Sequence, residues 1–179
     1  MAYPIIGSDT IFETDLVHQK WLDNHFYGAT FSVNYDKGEK LRASIGGAIN
    51  QYDGDHYGNV IWTQMGGIDK DHEWYTNNGL KTDMNVYGKA AYRFSNKFHV
   101  FGDVQFRHIN YKMEGLHDDF KDLAGEHTFD FVNPKAGASY EINRKNQTYF
   151  TAALSNREPS RGNFRDSDVD HNPVAEQLV

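Results

Sequence analysis

The sequence predicts an all-β chain of antiparallel, up-and-down hairpins of the membrane-barrel type, and three observations predict it. Apolar residues recur at every second position in six segments that fall into pairs. Turns inside each pair are about three residues long, whereas the links between pairs, roughly Gln51 to Leu80 and Glu114 to His127, are long and polar. Mean hydropathy is −0.73 although aromatic residues make up 15% of the chain. That combination suits strands of which only alternate residues meet lipid while lumen and loops stay wet.

In the first hairpin Ala29, Phe31, Val33 and Tyr35 alternate with Thr30, Ser32 and Asn34. Leu41, Ala43, Ile45, Gly47 and Ile49 follow across Asp36-Lys37-Gly38. The second sets Met84, Val86, Ala90 and Tyr92 against Asp83, Asn85, Lys89 and Arg93. It then sets Phe98, Val100, Val104 and Phe106 against His99, Asp103, Gln105 and Arg107, with a turn around Ser95-Asn96. In the third, Ala138, Tyr140 and Ile142 precede Phe150, Ala152 and Leu154 across Arg144-Lys145-Asn146. Phe129 and Phe131 have the opposite parity to Ala138 and Tyr140, so a bulge or break is expected near Pro134.

Shared parity on both strands of a hairpin requires an odd number of loop residues. Three-residue loops with a left-handed third residue satisfy this, which predicts positive φ at Gly38, Asn96 and Asn146. In the second hairpin the same register sets Asp83 opposite Arg107; a turn shifted by one residue would set Lys89 opposite Asp103 instead. Thr10 to Asp23, with Leu16, Val17, Trp21 and Leu22, reads as a short helix or an irregular loop.

Strands of about 10–12 residues, at ~3.3 Å per residue and tilted by ~40°, cover the ~25 Å apolar band of a membrane barrel. A soluble β-sandwich or a lipocalin-like binding module also alternates, with its apolar face inward, and is the alternative reading. The polar set Asp83, Lys89, Arg93, Asp103, Gln105 and Arg107 makes a rich lining for a lumen, while Tyr35, Tyr92, Phe94, Phe98 and Tyr140 gather near the short turns as an interfacial girdle would. Both features favour the membrane barrel.

A net charge of −7 with no clustered basic stripe argues against a nucleic-acid partner. Absence of cysteine removes disulfide and thiolate-metal chemistry. The first residues show no basic region followed by a long apolar segment, so they are not expected to act as a secretory signal, and no stretch is long and apolar enough for a membrane helix. Two clusters offer cation ligands: Asp53-Gly54-Asp55-His56, and Asp166, Asp168, Asp170 and His171. Both read more simply as solvated turns, so no metal and no cofactor is expected. No nucleophile elbow, His-Glu-x-x-His helix or phosphate loop occurs, so an enzyme is not expected. Tyr52, Asp55, His56, Trp62, Trp74, Arg157 and Arg161 are the ligand-binding candidates; Tyr57 adds a further ring.

Phe12 to Tyr35 ("FETDLVHQKWLDNHFYGATFSVNY"), Asn50 to Trp62 ("NQYDGDHYGNVIW") and Ser155 to Asp168 ("SNREPSRGNFRDSD") resemble the late barrel of TonB-dependent outer-membrane receptors of the Bacteroidetes type. The resemblance runs over nearly the whole chain. It implies that residues 1–179 are part of a large transmembrane β-barrel of about 22 strands, of which about six are found here. It further implies uptake of a siderophore, cobalamin, haem or glycan across the cell outer membrane, in contact with outer-membrane lipid. Coupling to the TonB complex would run through an N-terminal part, and neither that part nor the plug domain is found in these residues. In such receptors the Asn156-Arg157-Glu158-Pro159 region leads from a barrel strand into an extracellular loop.

Overall fold

The structure, a computed structural model, describes residues 5–6, 9–10, 12–167 and 173–178. In chain order these form β1 (Ile5–Ile6), β2 (Asp9–Thr10), β3 (Leu16–Lys37), β4 (Leu41–Thr63), β5 (His72–Arg93), β6 (Phe98–Gly115), β7 (Gly125–Asn143), β8 (Asn146–Ala153), β9 (Ser155–Arg157), α1 (Arg161–Asp166) and β10 (Glu176–Leu178). The central element is a six-stranded sheet in the order β3-β4-β5-β6-β7-β8, so each strand pairs with its neighbours in sequence. β1 pairs with β2, and β9 with β10. The expected all-β, up-and-down arrangement is therefore present.

The strands are longer than the apolar alternation indicates. β3, β4 and β5 have 22, 23 and 22 residues, about twice the 10–12 needed to cross an apolar band. Residues 52–63 and 72–80, read from sequence as parts of a long loop, are strand, and the connection shrinks to 64–71. Likewise Leu16 to Asp23 belongs to β3 and forms neither helix nor loop. Ladder hydrogen bonds do not need an apolar side-chain pattern, so polar, aromatic-rich sequence extends the strands unannounced.

Side-chain caps close two of the turns without a left-handed residue. Gly38 has the expected positive φ, +57°, but Asn96 and Asn146 are absent from the positive-φ set, which among non-glycine residues holds Asp71 and Phe120. At the second turn the Ser95 hydroxyl accepts the N–H groups of Lys97 and Phe98 at 3.2 and 3.1 Å. At the third, Asn143 Oδ1 accepts the N–H groups of Lys145 and Asn146 at 2.9 and 3.1 Å. An Asx or Ser side chain in place of a main-chain acceptor removes the need for αL backbone.

The bulge expected near Pro134 is also displaced. β7 runs unbroken through Pro134, and the register shift against β8 falls between Glu141 and Asn143. Phe131 is buried and lies 6.0 Å from Phe129 in a stacked arrangement. These rings keep the odd parity of the covered face, which turns apolar at this level.

The residues divide into two compact units, 1–25 with 52–80 and 112–126, and 26–51 with 81–111 and 127–179. In the first, Tyr75, Met113 and Leu123 are buried, and Asn77 donates to the Leu116 carbonyl at 2.7 Å. In the second, Ile109, Tyr111, Phe131 and Phe164 are buried. No helix among the described residues is long and apolar enough to cross a membrane.

Candidate functional site

Four charged side chains meet in the second unit. Asp83 on β5 and Arg107 on β6 face one another, Arg107 Nε lying 3.2 and 3.0 Å from the two Asp83 carboxylate oxygens. Arg107 Nη2 adds a third contact at 2.5 Å. The two residues expected to be neighbours on the polar face are in side-chain contact. The backbone bonds from the Phe94 N–H to the Phe98 carbonyl and from the Leu116 N–H to the Thr76 carbonyl, at the two ends of the hairpin, fit a diagonal pair better than a directly opposed one. Glu158, on the connection after β9, accepts from Arg107 Nη1 at 3.0 Å and from Nη2 at 3.3 Å, and it forms an ion pair with Lys81. The Glu158 and Asp83 side chains are only 11% and 13% exposed, against 28% and 24% for Lys81 and Arg107. Planar, bidentate guanidinium recognition sets the geometry and makes charge-assisted hydrogen bonds. Burial pushes the Glu158 carboxyl up; the hydrogen bond from Lys81 and the Lys81 and Arg107 charges outweigh it and hold the group below its ordinary value.

Local sequence explains why Glu158 can reach this place. Pro159 has no N–H to continue a ladder, so β9 stops at Arg157. Ser160 then caps α1 in a capping box with Asn163, the Ser160 N–H donating to Asn163 Oδ1 at 2.8 Å. One turn later Phe164 is buried, 4.3 Å from His127 in a stacked arrangement and 6.2 Å from the Tyr111 ring. Asn156 Nδ2 donates to the Val132 carbonyl and to Asn133 Oδ1. Residues 155–167 are thus fastened to the second unit at Asn156, Glu158 and Phe164.

The residues singled out from sequence occupy different settings. Tyr52 donates to Asn24 Oδ1 at 2.8 Å and lies 3.4 Å from His56. Asp55 and Asp53 both accept from Asn78 Nδ2 at 2.8 Å. These residues are on β4, not in a loop, because the strand continues to Thr63. Trp74 packs edge-on between His18 and Tyr75, each at 4.8 Å, while Trp62 is exposed. Arg157 pairs with Glu176, Nη2 to Oε2 at 2.7 Å; Arg161 is the first residue of α1. Asp168, Asp170 and His171 of the second cation-ligand cluster lie outside the described residues.

His117, Asp118 and Asp119, which the sequence reading passed over, bring ligand atoms within 4.8 Å of one another. Lys20 forms an ion pair with Asp118. Asp119 accepts the Lys121 N–H at 3.1 Å, which holds its carboxyl below the usual range. No protein-family model matches the chain, and no curated protein matches it. Geometry and charge are what assign roles to these residues.

Proposed function

We propose that these residues form a sector of the wall of a transmembrane β-barrel, in an outer-membrane receptor that takes up a scarce solute of the siderophore, cobalamin, haem or glycan class. The observation that carries this reading is the reversed burial of the sheet. Met84, Val86, Val104 and Phe106 are 42–48% exposed. The alternate positions Asn85, Tyr87, Asp103, Gln105 and Arg107 are partly covered, and Asp83 is buried. A sandwich or lipocalin-like module would place the apolar set inward. An apolar outer face with a polar lining is the membrane-barrel arrangement. Exposure along the whole of β3 and β8, the outer strands of the sheet, supports further strands on both sides in the closed wall. Outer-membrane lipid and the solute are then the direct partners, with energy supplied through the TonB complex.

Single cysteines test this reading in lipid vesicles. Val86→Cys, Val104→Cys and Phe106→Cys are expected to react with a lipid-phase maleimide, and Asn85→Cys and Gln105→Cys with a charged aqueous one. The opposite partition overturns the proposal.

A further inference from the structure

We infer that Lys81 and Arg107 form a receiving site for a carboxylate-bearing solute, in which Glu158 sits as a built-in ligand. The inference deepens the uptake role and rests on it in taking the polar face as the lumen wall. Two cations and two anions meet here, but they are anchored differently. Lys81, Asp83 and Arg107 belong to β5 and β6, adjacent strands of the ladder. Glu158 comes from a connection flanked by the three-residue β9 and by Pro159, 77 residues from Lys81 and 51 from Arg107 in sequence. It can leave without breaking a hydrogen bond of the six-stranded sheet.

Departure of Glu158 would leave Asp83 as the sole carboxylate between two part-covered cations, an excess of one positive charge in a partly desolvated place. A charge stripped of water needs a counter-charge with hydrogen-bond geometry. Arg107 Nη1 and Nη2, aimed at the two Glu158 oxygens at 3.0 and 3.3 Å, and Lys81 beside them offer a fork that a carboxylate fills. One excess charge matches a monoanionic head better than a phosphate dianion. A solute carboxylate in that fork displaces Glu158 and removes one of the three fastenings of residues 155–167, so that binding loosens the segment that covers the site.

The 179-residue chain in detergent micelles tests this with acetate as the probe. In Glu158→Ala the fork is vacated; sodium acetate is expected to raise the thermal midpoint saturably relative to sodium chloride at equal ionic strength, and Lys81→Met added to this variant is expected to abolish the rise. In the unmutated chain acetate is expected to speed trypsin cleavage after Arg157 and Arg161 roughly fivefold, because the covering segment opens more often. No acetate-specific rise in a Glu158→Ala chain that keeps its β circular dichroism overturns the site, as does a preference for phosphate. Should Glu158→Ala lose that signature, Glu158→Gln takes its place, since a charged acetate must outcompete a neutral amide. Loss of the acetate effect with lipid-phase labelling intact removes the carboxylate site alone. Retention of the effect with lipid-inaccessible apolar positions removes the barrel reading alone.

Discussion

Arg107 forks onto Asp83 across β5 and β6, with Nη2 2.5 Å from Oδ2 and Nε 3.0 Å from the same oxygen. Removing Asp83 takes three contacts from Arg107 and leaves Glu158 as its carboxylate partner. Asp83→Ala is therefore expected to lower stability by about 2–3 kcal/mol, below the full cost for a deeply buried pair because Arg107 keeps some solvent. Asp103→Ala serves as a control expected to change it by about 0.5 kcal/mol or less. Guanidinium unfolding in detergent gives both values, and equal effects would refute the importance of the pair.

Phe164 fastens α1 through His127 and Tyr111. Phe164→Ala is expected to cost about 3 kcal/mol of local stability through the cavity it leaves. Hydrogen exchange should quicken across 155–167 while amides of β5 and β6 keep their protection. Uniform loss of protection in the sheet would contradict a locally docked segment.

The three turns respond to different substitutions. Gly38 has φ +57° and open space where a Cβ would lie, so Gly38→Val costs backbone strain alone, about 1–2 kcal/mol. Asn143→Ala removes the acceptor for two N–H groups and is expected to cost about 1 kcal/mol. Asn146→Gly is expected to bring no gain, because residue 146 is not left-handed. Stabilisation by Asn146→Gly in equilibrium unfolding would contradict this turn geometry.

Glu158 gives the covering segment a pH dependence of known sign. Its carboxyl is held below its ordinary 4.5, so the folded state favours the ionised form, beside Lys81 and Arg107 and with Asp83 across the fork. The contribution is fully present above the ordinary value and is lost as pH falls through the lowered one. Trypsin-resistant fraction or amide protection across 155–167, followed from pH 6 downward, should fall in that acid window. Glu158→Gln should flatten the profile; an unchanged profile would assign the effect to another group.

β3 is exposed along all 22 residues, and Tyr149 and Phe150 of β8 are 81% and 71% exposed. Without detergent the 179-residue chain is expected to associate by edge pairing or through its apolar face. Sedimentation velocity should show species larger than a monomer, reduced when Phe31 and Val33 are replaced by lysine. A monodisperse, β-rich monomer would contradict the exposed edges.

Period-two alternation with short turns determined by itself the six up-and-down strands of the central sheet, and shared parity placed Asp83 and Arg107 on one face. Both are local or nearest-neighbour properties, which a one-dimensional pattern records. Strand length was not legible, since a ladder extends through polar residues such as 52–63 on main-chain hydrogen bonds alone. Turn backbone at Asn96 and Asn146 was not legible either, because Ser95 and Asn143 supply acceptors that make positive φ unnecessary. Glu158 and Phe164 looked like members of a ligand-facing loop; only the tertiary structure lays them on Lys81, Arg107, His127 and Tyr111. Those contacts join residues tens of positions apart, where attraction depends on how the sheet sets side chains in space and leaves no periodic trace in the chain. The same holds for which face is covered: alternation names two faces, and packing decides that Asn85, Gln105 and Arg107 lie on the more covered one while Val86, Val104 and Phe106 are exposed.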